Sequence, residues 1–348
     1  MLYAGLDLSR RRLDVCILDE EGDRLLEIGV RPDADALRTL TARVARLRPE
    51  PVSAAIESMT GARFVHDSLE RLGWEVDIAD AQRAKGLAPL VAKTDRIDAW
   101  VLAELARREL LPAIWLPDPG VRAERERARF RLHLVHHRTA LKNRIHATLM
   151  SFGHPVPVSD LFGRAGRERL ERMALPAAWA SSVATSVALI DDLDRQIATA
   201  EAELRQLGAE HRYVPLLCSV PGISWVLAST IAAEIGDIGR FSRAKALVGY
   251  TGLVPFVMQS GERDRRGPLT KHGPRYLRWA LIEATIHAAR HPAYRDRYER
   301  TRRRLGKQRG PRVARIEVAR QLATAIWHML SNGEPFAPPA GPAIYLVA

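Results

Sequence analysis

The stretch from Leu2 to Val30, LYAGLDLSRRRLDVCILDEEGDRLLEIGV, decides the fold of the first domain. Leu2 to Leu8, Leu13 to Asp19 and Leu25 to Val30 are short apolar runs separated by charged or glycine-containing turns such as Glu21-Gly22-Asp23. They predict three antiparallel strands. Outward from there, the apolar spacing predicts a helix from Asp35 to Leu47, a strand from Val52 to Ile56, a helix from Ala62 to Leu72 and a strand from Trp74 to Ala79. The chain turns helical again from Thr94 to Leu110. Three meandering strands followed by helix-linked strands make a mixed α/β sheet covered by helices.

Pro112, Pro117 and Pro119 punctuate the end of that pattern. A long charged helix follows from Val121 to Met150, with Phe130, Leu134, Leu141, Ile145 and Leu149 on one stripe. A second helix spans Ala184 to Leu207, and the two are expected to form an antiparallel hairpin or coiled coil. After Tyr213-Val214-Pro215 the chain reads as a small all-α domain running through Pro221-Gly222 and a basic loop to a final helix near Val313 to Leu330. The expected division is 1–112 for the α/β domain, 113–210 for the helical linker, 211–332 for the helical domain and 333–348 for a Pro-rich, poorly ordered tail.

A formal charge of +12 asks for a polyanionic partner, since guanidinium groups pair with phosphates and release condensed counterions. The charge is localised: Arg263 to Arg320 holds 18 Lys or Arg against 5 Asp or Glu, and the remainder is near neutral. That favours a dedicated nucleic-acid segment, although GC-rich coding also raises arginine content and offers a plainer origin. Cys16 and Cys218 stand far apart without paired spacing, which excludes a disulfide framework or cysteine zinc site and fits a reducing cytoplasm. His133, His136 and His137 lack accompanying Cys or clustered carboxylates, so zinc is not expected. Leu2 follows no basic leader, and Val214 to Ala233 is broken by Pro215, Pro221 and Gly222, so no membrane span is expected.

Three placements of carboxylates stand out. Asp7 ends the first strand in Gly5-Leu6-Asp7-Leu8-Ser9, and Glu57 ends a later one in Ala54-Ala55-Ile56-Glu57-Ser58. Asp95 and Asp98, in Lys93-Thr94-Asp95-Arg96-Ile97-Asp98-Ala99, lie three residues apart near a helix start. Hard oxygen donors drawn from separate elements suit Mg²⁺ (or Mn²⁺), and such ions clamp the oxygens of a phosphoryl displacement. Taken singly, each acid also fits a turn cap, a helix cap or a surface ion pair.

These motifs, in this order and spacing, resemble the Asp-Glu-Asp-Asp signature of the RuvC-like insertion-sequence transposases. So do Ser219-Val220-Pro221-Gly222-Ile223, Gly249-Tyr250-Thr251-Gly252-Leu253-Val254-Pro255, Gln259-Ser260-Gly261 and Leu269-Thr270-Lys271-His272-Gly273, which resemble the family's second domain. The resemblance covers residues 2 to 332, with departures at Ser224 and Pro268. The family includes pilin-gene invertases and recombinases guided by a bridge RNA.

The resemblance implies a ribonuclease H-like (RuvC-like) first domain and Mg²⁺-dependent cleavage and rejoining of DNA. Asp7, Glu57, Asp95 and Asp98 would hold the metal, and Ser260 would be the nucleophile. It also implies a bridge RNA as partner and dimers that pair into a tetramer. From the residues themselves, Pro221-Gly222-Ile223 fits either a phosphate-holding hairpin turn or a plain interhelical turn, and Ser260-Gly261 fits either an exposed hydroxyl among cations or a simple turn. Arg263, Arg265, Arg266, Lys271, Arg275, Arg295, Arg302, Arg303 and Arg304 are candidate nucleic-acid contacts, the last four in a helix region from Pro292 to Arg304 where Tyr294 and Tyr298 add aromatic faces; a solvated charged face is the plain alternative. Two rival functions remain: a RuvC-like structure-specific nuclease with a metal-activated water, and a non-catalytic nucleic-acid-binding protein.

Overall fold

The computed structural model describes residues 1–87, 95–154, 160–260 and 263–337; the side chains of Asp95, Ser260, Arg263 and Arg266 lie outside what is described, as does the tail from 338. The chain divides into two compact units, Met1–Leu116 and Pro117–Ala348.

The first unit is built on β1 (Leu2–Leu8), β2 (Leu13–Leu18), β3 (Arg24–Val30), α1 (Ala34–Leu47), β4 (Val52–Glu57), α2 (Ala62–Glu70), β5 (Glu75–Ala79), α3 (Ala81–Leu87) and α4 (Asp95–Arg107). The strands form one mixed sheet in the order β3-β2-β1-β4-β5, antiparallel from β3 to β1 and parallel from β1 to β5. Alternation of side chains along the strands divides the core into two layers. Leu2, Ala4, Leu6 and Leu8 of β1 pack with Leu37, Leu40 and Val44 of α1 and Val65 and Leu69 of α2 on one face. Cys16, Leu18 and Ala55 meet Ala99, Leu102 and Ala103 of α4 on the other. Asp33 caps α1 by accepting from the Ala36 amide at 2.9 Å.

The approach of α4 is set by Gly5: a Cβ there would lie 1.7 Å from the Ala99 carbonyl oxygen and 2.5 Å from the Ala103 nitrogen. The missing side chain lets the helix backbone rest on β1 two residues before Asp7. The mixed sheet sandwiched by helices is the arrangement expected of a ribonuclease H-like domain.

The second unit begins with α5 (Pro119–Ser151), α6 (Arg164–Glu171) and α7 (Ala177–Ala209). Arg127 pairs with Glu203 at 2.8 Å, Arg131 with Glu201, and Arg138 with Asp194, so rising numbers on α5 meet falling numbers on α7 and the helices run antiparallel. Val183, Ile190, Ile197 and Leu204 are buried at seven-residue spacing along α7. On α5 the expected stripe holds at Ile145 and Leu149 but fails at Phe130, which is 52% exposed. The buried side at that level carries Ala128, with Arg125 and Arg129 reaching the Ala233 carbonyl and the Glu234 carboxylate.

The remaining elements are α8 (Val214–Cys218), α9 (Trp225–Ile235), α10 (Ala244–Tyr250), β6 (Pro255–Ser260), β7 (Arg263–Leu269), α11 (Arg275–Ala288) and α12 (Pro292–Asn332). Leu217, Ile231, Leu277, Leu281, Val318, Leu322 and Ile326 lie in their common core. One expectation needs correction. The basic loop is a two-stranded antiparallel hairpin, with Met258 opposite Arg265 and Ser260 opposite Arg263. The two helical stretches expected, Pro292 to Arg304 and Val313 to Leu330, are the halves of α12, which meet across non-helical backbone at Gly306 (φ 75°). The segment after Glu334 is also anchored at its start: the Phe336 amide donates to Ser219 Oγ at 2.8 Å, and its ring lies 6.1 Å from that of Tyr294.

Candidate active site and nucleic-acid interface

Sheet register brings the first two candidate acids together. Leu6 of β1 pairs in parallel with Ile56 of β4, so Asp7 and Glu57 are the next residues along neighbouring strands. Both lie on the face that Gly5 and Ala55 share, the face covered by α4. Across the other edge of β1, Asp7 pairs with Asp14 of β2, and Asp14 pairs with Gly29 of β3. Asp14, Asp7 and Glu57 therefore form a row across three adjacent strands.

The helix contributes the second pair. Asp95 and Asp98 stand in the first turn of α4, and Ala99, the residue after Asp98, is the one seated on Gly5. Asp7, Glu57 and Asp98 are half-buried. Among the described residues Glu57 and Asp98 have no ion-pair partner. Nor, among those residues, does any group of three or more His, Cys, Asp or Glu stand close enough to hold an ion. The donors are all carboxylates, the ligand type that hard divalent cations take.

Asp14 was not legible as part of this site, because in Leu13-Asp14-Val15 it occupies a polar position of an alternating strand. In the fold it is only 4% exposed and is held in a fork by Arg12, whose Nε donates to Oδ1 at 2.9 Å and Oδ2 at 3.0 Å and whose Nη2 donates to Oδ1 at 2.8 Å. Like charges directly opposite each other destabilise a strand pair, and the guanidinium offsets this for Asp14. Cys16, two residues on, is buried under α4, and that burial pushes its thiol up to about 11.

In the second unit, Ser260 closes β6 and Arg263 opens β7, with Arg265 exposed on the same hairpin. Phe256, Val257 and Met258 are exposed beside them. Lys271 is exposed with φ 54°, and the Arg275 guanidinium lies 4.7 Å from the Tyr276 ring. Gly222 sits in the turn between α8 and α9 with φ 86°, where a Cβ would lie 2.3 Å from the Ala284 carbonyl oxygen of α11. Its lack of a side chain is thus required by packing as well as by the turn. Arg290, Arg295, Arg302 and Arg315 line a groove of about 450 Å³ with Tyr298 and Glu299 between α11 and the two halves of α12. Arg303 is exposed, while Arg304 lies 3.9 Å from Glu317.

No helix among the described residues is long and apolar enough to cross a membrane. Comparison with known proteins fits this layout. The IS110-type DEDD transposase model matches residues 4–153, and the model of the transposase IS116/IS110/IS902 family matches residues 214–299. The transposase for insertion sequence element IS1328 of Yersinia enterocolitica is 27% identical over 95% of this chain and 97% of its own length. A probable family 20 transposase of Pseudomonas aeruginosa is 28% identical over 83% of this chain and 86% of its own. The transposase for insertion sequence element IS1111A of Coxiella burnetii is 26% identical over 95% and 90%. With the carboxylate-bearing sheet in the first matched segment and the serine-bearing hairpin in the second, the chain belongs to the IS110/IS116/IS902 family of insertion-sequence transposases, enzymes that cut and rejoin DNA.

Proposed function

We propose that this transposase breaks and rejoins the ends of its element through a phosphoserine link, with Ser260 as nucleophile and Asp7, Glu57, Asp95 and Asp98 as holders of Mg²⁺ or Mn²⁺. The supporting observation is the register that puts Asp7 and Glu57 side by side at the ends of parallel strands under the first turn of α4. When bound, such an ion supplies charge stabilisation to a pentacoordinate phosphorus and lowers the cost of ionising the attacking hydroxyl. Ser260 Oγ loses its proton and bonds to phosphorus as the P–O bond to one DNA strand breaks, that strand leaving as a hydroxyl terminus. The hydroxyl of the strand to be joined then attacks the phosphoserine and releases Ser260.

Arg263, Arg265, Arg266, Lys271, Arg275, Arg295, Arg302, Arg303 and Arg304 hold nucleic-acid phosphates in this reading, with the Gly222 turn adding backbone N–H groups. A bridge RNA selects the DNA partners, and dimers pair into a tetramer for strand exchange. The test is excision of the element from its native flanks, read by amplification across the joined ends. Wild type yields the junction, while Ser260→Ala and Asp7→Asn both lose it and keep their thermal melting. A junction that persists in Ser260→Ala overturns the serine nucleophile and favours a metal-activated water. One that persists in Asp7→Asn overturns the carboxylate assignment.

A further inference from the structure

We propose that the β1–β2 turn, Ser9 to Arg12, is a DNA-phosphate site of the first unit, gripping the strand backbone beside the carboxylate row. It rests on reading that row as the place where DNA is cut. Three consecutive arginines occupy a turn at the strand end that also carries Asp7. The turn is pinned from within: the Ser9 amide donates to the Arg12 carbonyl at 2.7 Å, Ser9 Oγ donates to that carbonyl at 2.9 Å, and the Arg12 amide donates to Ser9 Oγ at 3.2 Å.

Arg10 and Arg11 project from it exposed, with no ion-pair partner among the described residues. Arg12 plays a different part. Its guanidinium is forked onto buried Asp14 and lies over Gly29, where a Cβ would come within 2.3 Å of it. Half of its side chain still faces water, at 53% exposure. An arginine serving solubility alone needs neither a buried carboxylate nor a vacated neighbouring strand position. Arg12 is therefore a positioning residue that fixes the turn, and Arg10 and Arg11 are the phosphate ligands.

The distances suit a nucleic-acid strand. Ser9 follows Asp7 by two residues, about 7 Å along the strand, and one DNA strand advances roughly 3.4 Å per nucleotide along its helix axis. The turn thus meets phosphates one or two nucleotides from the one at the row. A polyanion approaching Asp7 and Glu57 is repelled, and cations at their margin counter that repulsion.

The experiment is fluorescence anisotropy of the full chain on a labelled DNA duplex carrying the element's end, in Ca²⁺, across a salt series. Arg10→Gln/Arg11→Gln should lower the slope of log affinity against log salt by about 1.8, two phosphate contacts at roughly 0.9 each. Neutral methylphosphonate linkages placed one and two nucleotides from the cut should weaken wild type severalfold and leave the double variant unaffected. An unchanged slope, an equal methylphosphonate effect in both proteins, or a loss seen only on an RNA duplex of the same sequence overturns the proposal. Asp7→Asn, assayed alongside for cutting in Mg²⁺, separates the two readings. If it still cuts, the row has been misread, whereas an inert Asp7→Asn with an unchanged Arg10/Arg11 slope sinks the turn alone.

Discussion

At the scale of single residues, the site depends on an atom that is absent. Gly5 allows α4 to lie on β1, and any Cβ there strikes the backbone of Ala99, which cannot rotate away as a side chain would. Overpacking of a well-packed core costs about 1–3 kcal/mol, and a backbone clash falls at or above the upper end. Gly5→Ala is therefore expected to lower the melting temperature by several degrees or more, and to raise the reactivity of Cys16, buried under the same helix, toward a thiol reagent. Unchanged melting with Cys16 still silent would show that α4 does not rest on Gly5. The acids themselves were legible because a carboxylate interrupts an apolar run at Asp7 and again at Glu57. Gly5 and Asp14 were not, since nothing local distinguishes a glycine under a helix from one in a turn, or a buried acid from a solvated one.

At the scale of elements, α4 carries the candidate acids at one end and is tied down at the other. Its first turn carries Asp95 and Asp98, and its last turn is tied by Glu104, which binds Arg107 and Arg108, while Arg107 donates to the Glu20 carbonyl at 3.0 Å. The hydrogen bond from Arg107 first, then that from Arg108, brings the Glu104 carboxyl down to about 2 from its ordinary 4.5. A carboxyl depressed on folding adds stability above its unfolded value and loses it as pH falls through the folded one. The melting difference between wild type and Glu104→Gln should therefore be constant above pH 5 and shrink as pH drops from about 4.5 toward 2. A difference independent of pH would mean that the pair contributes nothing through charge. Periodicity located α4 because its apolar face repeats at helical spacing. It missed the β6–β7 hairpin because Arg263 to Leu269 is too polar and too rich in Gly and Pro to read as a strand; cross-strand pairing, a non-local property, defines it.

At the scale of the whole molecule, the candidate carboxylates and the net positive charge occupy different parts of the sequence. The carboxylates lie within residues 7–98, while Arg263 to Arg320 carries the net positive charge. Substrate affinity and the chemical step should then respond to different substitutions. Arg295, Arg302 and Arg304 are 63%, 48% and 69% exposed and Arg303 is exposed too, so replacing all four with Gln removes surface charge without opening the core. Three ion pairs are lost with them, Arg295 with Asp296 at 4.0 Å, Arg302 with Glu299 at 2.8 Å and Arg304 with Glu317 at 3.9 Å, and because Glu299 and Glu317 are only 30% and 20% exposed, the melting temperature of the variant is measured beside its binding. If all four meet phosphates, the salt slope of DNA binding should fall by about 3.6, at roughly 0.9 per contact. On the proposed assignment of Asp7 to the cutting site, Asp7→Asn should bind DNA at least as tightly as wild type while exchanging no strands. A quadruple variant whose slope moves by less than about 1 would assign the basic segment to the guide RNA or to solvent and shift DNA affinity to the hairpin and the first unit.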